Sequence, residues 1–309
     1  MDSFPLIMIG AMYENGGNTT HRFLDGHPEL FVYPFESQLG TRLVVDYLAS
    51  AFPAKYRWPV FRLGATPGEN FQAIIDEECR VRANTPSVSK FRHFPFDFSD
   101  AERAERFSEL VSSGTPSRCE NVHAFFRATM LSWHDRQARA ENPVYVGYSP
   151  IITVDAGIIL QEVPAAHFVH VVRNPWSAYS ETKRRPVPLP LDHYLFGWLT
   201  VQLAALRLAP AFPDRFHVLR FEDLVRDPTA SLGAICERIG LSASPSLAKP
   251  SWNGTALSQV YPWGTIRKPT DEENRATAAG LSGEEKAIIA SYTEPVLASL
   301  DYSGFLASA

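Results

Sequence analysis

Cysteine is scarce in this chain. Cys79, Cys119 and Cys236 are the three in 309 residues, odd in number and far apart. No CxxC pair and no Cys/His metal spacing occurs. Neither a disulfide scaffold nor a zinc module is expected, and the thiols read as reduced ones in a cytoplasmic setting. A basic surplus is missing too. Lys and Arg total 29 against 34 Asp and Glu, a net charge of −5, which argues against a general nucleic-acid binder. An anionic small ligand is still allowed, because a local cluster can be basic on an acidic protein. Long apolar runs are also lacking. LIMIGAM, residues 6–12, is far too short to span a membrane, and no basic region precedes it. Neither a membrane span nor a secretory signal is therefore expected. Without such a signal, the sequons Asn18-Thr19-Thr20 and Asn253-Gly254-Thr255 are read as chance occurrences. Repeats and low-complexity tracts are absent, and the 24 prolines punctuate the whole chain rather than one linker. No convincing domain boundary is seen, and a single domain over residues 1–309 is expected, with 51–143 mostly helical.

What is present suits a folded core. Hydrophobic residues make up 45% and charged residues 20%, outside the disordered range. Short apolar runs read as strands at 5–10, 30–33, 144–149, 167–172 and 216–221. Helical patterns lie between them, at 19–26, 37–50, 68–83, 100–113, 121–140, 152–162, 175–184, 191–209, 228–239 and about 282–299. In 37–50 the helical face would carry Leu39, Leu43, Val44 and Tyr47. Strands alternating with helices predict an α/β fold, a central parallel sheet flanked by helices. Ligands of such sheets bind beyond the carboxyl ends of the strands.

The strand ends carry the chemistry. After the first comes GAMYENGGNTT, residues 10–20, a glycine turn entering a helix. Its backbone N–H groups and the helix dipole favour an anion, although a plain strand-to-helix turn uses glycine as well. The nucleoside-triphosphatase pattern GxxxxGK[ST] is not met, because Asn18 stands at its lysine position. A kinase is thereby disfavoured. After the second strand, Glu36 in YPFES is either a general base or a helix N-terminal acid. After HFVHVV comes RNPWSAYSETKRR, residues 173–185. Arg173 with Ser177 and Ser180 forms an anion clamp, while Lys183, Arg184 and Arg185 read as a solvated helix end. Glu222 and Asp223 follow FHVLRF as capping or pairing acids. YPWGTIRKPT, residues 261–270, is a basic loop.

Three of these segments together resemble the sulfotransferase superfamily: the strand–glycine loop–TT helix ending in LDGHPEL (24–30), VVRNP with AYS (171–180), and LRFEDLVRDP (219–228) leading to RIGL. They occur in family order over roughly residues 5–270, and the featureless stretch 51–143 between them is, on this resemblance, the variable acceptor-side segment. The resemblance implies a P-loop-like sulfotransferase fold. It implies 3′-phosphoadenosine-5′-phosphosulfate as donor and 3′-phosphoadenosine-5′-phosphate as product, with no metal. The acceptor would be a hydroxyl or amine of a carbohydrate or small molecule. Asn15, Gly16, Gly17, Asn18, Thr19 and Thr20 would hold the 5′-phosphosulfate. Arg173 and Ser180 would hold the 3′-phosphate, with Ser177 as the alternate, because Ser180 falls one residue short of the family spacing. Gly264, Arg267 and Lys268 would close over the same phosphate. Phe221 matches a family tyrosine near the adenine, and Glu36 would be the general base.

Two departures stand out. The family loop carries Lys or Arg just before its glycine turn, where this chain has Glu14-Asn15, and Tyr148 stands where a lysine is usual. Arg22, His21, Arg42 and Lys268 are the candidates to replace the missing cation. A protein of this fold that binds the nucleotide without transferring is the alternative reading. The acceptor is not legible. FRHFPFDF (91–98), HYLFGW (193–198) and Trp252 suit a pocket or the core equally.

Overall fold

A computed structural model describes residues 4–112, 117–137, 140–257 and 270–305. Strand β1, Leu6–Ala11, is buried at every position. β2 is Leu30–Val32, β3 Val144–Pro150, β4 Ala166–Val172 and β5 Phe216–Arg220. All pair in parallel in the order β2-β3-β1-β4-β5. The continuous apolar sequence of β1 follows from its place in the middle, where both faces are covered. Leu6 and Met8 face a core with Phe125, Phe126, Phe168 and Phe216. Ile7, Ile9 and Ala11 face the other, with Phe23, Leu24, Leu232 and Cys236.

The helices are α1 (Gly17–Leu24), α2 (Pro67–Ala73), α3 (Glu77–Asn84), α4 (Asp100–Ser112), α5 (Arg118–Leu131), α6 (Ala156–Glu162) and α7 (Pro175–Lys183). α8 (Leu191–Ala211), α9 (Phe221–Arg226), α10 (Pro228–Ile239), α11 (Asp271–Ala278) and α12 (Gly283–Leu297) complete them. A third apolar cluster, including Trp176, Tyr194, Trp198 and Ile289, ties α7, α8 and α12 together. α10 ends as its sequence predicts, on Gly240 at φ 87°. No helix among the described residues is long and apolar enough to cross a membrane.

The predicted strands are present, but three helical expectations need correction. The helix expected over 121–140 ends at Leu131, beyond which the His134 N–H donates to the Asp97 carbonyl at 2.8 Å. Residues 37–50 are not a helix; they hold one 3₁₀ turn, Tyr47–Ser50. Ser37 explains the difference, because its N–H and its hydroxyl both donate to the Tyr148 carbonyl, at 2.7 and 3.1 Å. That capture keeps the chain extended alongside β3. Gly40 then lies so close to Ala54 that a β-carbon would meet its carbonyl oxygen. Tyr47, expected on the apolar face, is 88% exposed. The single helix expected over 68–83 is broken between α2 and α3, where the Ile75 N–H donates to the Gly40 carbonyl at 2.8 Å. The strand ending FHVLRF also stops one residue early, and Phe221 opens α9.

The two outer edges of the sheet lie on opposite sides of β1. Its carboxyl end, between β3 and β4, is therefore the topological switch point at which such sheets open a crevice.

Candidate active site at the carboxyl end of the central strand

The loop from β1 to α1 turns through two left-handed residues, Glu14 at φ 58° and Gly16 at φ 89°. Gly16 has no alternative. A β-carbon there would lie 2.1 Å from the Phe221 ring. At Gly17 it would lie 2.2 Å from the Tyr148 ring. The two aromatics thus pack directly on the glycine backbone. The Thr20 N–H and hydroxyl both donate to the Gly16 carbonyl, at 2.9 and 3.0 Å, closing the first turn of α1. The N–H groups of Gly17, Asn18 and Thr19 come before the first intrahelical acceptor and sit at the positive end of the helix dipole. Gly16→Ala is expected to cost roughly 2 kcal/mol or more, combining backbone strain with the ring clash. A thermal melt reads the loss, and Phe221→Ala in the same chain should recover part of it.

One narrow cleft of about 100 Å³ opens over this loop, space for a tetrahedral oxyanion rather than a whole nucleotide. Gly16, Gly17, Asn18 and Thr19 line it together with Glu36, Arg173 and Phe221. The cleft therefore gathers residues from after β1, β2, β4 and β5. Tyr13, Tyr56 and Tyr148 also line it. Burial pushes the Tyr13 phenol up to about 12 and raises Tyr148 well above the ordinary phenol range. Both are neutral hydroxyls at physiological pH.

Arg173, at the end of β4, is 1% exposed. Its Nη1 donates to the Glu14 carbonyl at 2.9 Å, and its Nε donates to Asn274 Oδ1. Its guanidinium stands 5.3 Å from the Phe221 ring centre. Nη2 has no partner among the described residues. Burial lowers the Arg173 pKa, opposed by the nearby carboxylates of Glu222, Glu181 and Glu14, and the group stays a cation. A buried cation with an idle donor suits an anionic ligand.

A buried amide and carboxylate network fixes Arg173. Glu222 Oε1 accepts from the Asn174 N–H at 3.0 Å, from Asn174 Nδ2 at 2.7 Å and from Asn274 Nδ2 at 3.1 Å. The Tyr302 hydroxyl donates to the other oxygen at 2.5 Å. Glu222 is thus the anchor beneath the arginine, while Asp223 pairs with Arg226 at 2.9 Å. Sequence reasoning left both as capping or pairing acids.

The other expected site residues fall in several places. Asn15 is fully buried behind the loop rather than in the cleft. Its Nδ2 donates to the Tyr13 carbonyl at 2.8 Å, and its Oδ1 accepts the Arg173 N–H at 3.1 Å. Ser177 donates its hydroxyl to the Asn274 carbonyl at 2.6 Å. Ser180 is buried beside Gly280 and Arg184. Gly264, Arg267 and Lys268 lie outside the described residues. Glu36 lines the cleft, and its N–H donates to Glu78 Oε2 at 3.4 Å. Burial, and after it the Glu36 charge, pushes the Glu78 carboxyl up to about 8, with Lys90 paired against it.

None of Arg22, His21 and Arg42, candidates to replace the missing cation, lines the cleft. Arg22 is buried, donating to the Tyr33 carbonyl at 3.0 Å and to His21 Nδ1 at 2.7 Å. Arg42 borders a separate groove of about 790 Å³ along α2 and α3, which shares no lining residue with the cleft. Arg185 does line the cleft, a residue that the sequence placed in a solvated helix end. Phe91, Phe96, Tyr194, Trp198 and Trp252, from the aromatic stretches, are core.

A five-stranded parallel sheet with a glycine loop between its central strand and first helix is a P-loop-like α/β fold. The chain belongs to the sulfotransferase family, whose model, described as "Sulfotransferase family", matches residues 5–245. Two solved structures share the fold. The sulfotransferase domain of the Synechococcus PCC 7002 olefin synthase is 18% identical, with a TM-score of 0.56 over 94% of this chain and 95% of that one. The sulfotransferase domain of the curacin biosynthetic pathway is 16% identical, with a TM-score of 0.56 over 95% and 99%. No curated protein sequence matches the chain.

Proposed function

We propose that this protein transfers the sulfuryl group of 3′-phosphoadenosine-5′-phosphosulfate to a hydroxyl or amine of a carbohydrate or small-molecule acceptor. One observation carries the reading. A single cleft gathers the amide-lined glycine loop, a buried arginine with an idle donor and the Glu36 carboxylate. The donor, when bound, supplies the activated sulfur.

Everything else falls to the chain. The N–H groups of Gly16, Gly17, Asn18 and Thr19, with Thr20 closing the turn, would hold the 5′ oxyanions. Arg173 and Ser180 would hold the 3′-phosphate, with Gly264, Arg267 and Lys268 closing over it. Asn15 orients the loop instead of touching the ligand. Glu36 takes the acceptor's proton as its oxygen or nitrogen attacks. Tyr13 and Tyr56 wall the reacting end and exclude water. The three cysteines are free, in keeping with the cytoplasmic compartment that we propose.

Incubation with ³⁵S-labelled donor and a panel of sugar, phenol, alcohol and amine acceptors tests the reading. A labelled acceptor is the expected product. Tight binding of the product nucleotide with no transfer to any acceptor would leave the non-transferring alternative standing.

A further inference from the structure

Among the described residues, two cations line the cleft, Arg173 and Arg185. They are held in unlike ways. Two of the three guanidinium nitrogens of Arg173 are fixed, as described above. Arg185 lies two residues beyond the end of α7 with its side chain 34% exposed. Its guanidinium lies 4.9 Å from the Tyr13 ring centre. Its Nε is 3.7 Å from Glu14 Oε1, longer than a hydrogen bond. Arg185 can therefore change partner without breaking a hydrogen bond to Glu14. Glu14 itself is held in the left-handed region, with its carbonyl tied to Arg173. The loop therefore presents a carboxylate to the cleft, and a cation from the far end of α7 faces it.

We propose that Arg185 is the cation of the 5′ end of this site. It leaves Glu14 for the 5′ oxyanions of the donor and balances the negative charge that builds there during transfer. Glu14 holds Arg185 in the cleft between turnovers. The assignment rests on the donor reading given under Proposed function. The step balances without an added reagent. The bond from sulfur to the 5′-phosphate oxygen breaks, and its electron pair stays on that oxygen. The new bond forms from the acceptor atom to sulfur, and the acceptor's proton passes to Glu36. Arg185 changes partner and neither gains nor loses a proton.

Calorimetric titration of the 309-residue chain with two nucleotides tests this. One is 3′-phosphoadenosine-5′-phosphate; the other is adenosine 3′-monophosphate, which lacks the 5′ group. Arg185→Ala is expected to weaken the bisphosphate by roughly 10- to 100-fold and to leave the monophosphate within about twofold, since only one probe offers the charged acceptor. Arg185→Lys should restore part of the loss, and Glu14→Gln should tighten the bisphosphate by removing a competing carboxylate. Undiminished bisphosphate binding by Arg185→Ala, or an equal loss for both nucleotides, overturns the assignment. Failure of the unaltered protein to bind either nucleotide overturns the donor reading, and the assignment with it.

Discussion

Glu36→Gln is expected to lower the rate constant for transfer by about 10²- to 10⁴-fold, the usual worth of a positioned general base. Glutamine keeps the size and polarity of the side chain but cannot accept the acceptor's proton. The Glu36 backbone N–H that donates to Glu78 is untouched, so the fold should be preserved. Glu36 follows β2, whereas the glycine loop and Arg173 follow β1 and β4. Affinity for the product nucleotide should therefore stay near that of the unaltered protein. Steady-state transfer assays and nucleotide titration on one preparation separate the two effects. Full activity in Glu36→Gln would remove the base assignment. Loss of activity in Glu78→Gln alone would hand the role to Glu78, the carboxylate that faces the same backbone.

Acidification from pH 7 to pH 5 is expected to destabilise the protein by several kcal/mol. His21 and His170 are fully buried, and His217 nearly so. Burial holds His170 down to about 4, with its two nitrogens 3.0 Å from Thr153 Oγ1 and 2.7 Å from Gln202 Oε1. Burial, with Arg238 and His167 after it, lowers His217 to about 4. Burial, then the Arg22 charge, holds His21 well below the ordinary range. In the unfolded chain each protonates near pH 6.5. Between pH 6.5 and 4 the unfolded state thus binds more protons, and stability falls as pH falls. His170 alone accounts for on the order of 3 kcal/mol over the full window. Glu78 acts in the opposite sense, because its raised folded-state pKa adds stability as pH drops below 8, but one carboxyl faces several histidines. Melting temperatures at pH 7.5, 6 and 5 measure the slope. A flat profile over that range would show that these histidines titrate normally. His170→Asn should flatten it in part.

The strands were legible because each is a short, mostly buried apolar run, a pattern that no exposed helix shares. The glycine loop was legible for a related reason, since only glycine permits φ 89° at Gly16 against the Phe221 ring. Residues 37–50 misled because their apolar spacing fits a helix, while the deciding bonds come from Tyr148, more than a hundred residues away. Arg185 was hidden for the same kind of reason. A Lys-Arg-Arg run past a helix looks solvated until the fold brings Glu14 opposite its last member. The role of Glu222 likewise needed Asn174, Asn274 and Tyr302 to converge on one carboxylate. Spacing along the chain records none of these meetings.

Asn15 touches the Tyr13 carbonyl with one arm and the Arg173 N–H with the other, while Arg173 reaches back to the Glu14 carbonyl. This double stitch makes the glycine loop and the arginine one rigid jaw. On the proposed function, the loop and Arg173 each hold one phosphate, and the gap between them is set by covalent geometry and buried amides before any ligand arrives. A jaw of fixed opening works as a caliper. It would favour nucleotides whose two phosphates stand at the matching separation over those whose phosphates are adjacent, with no need to read the base.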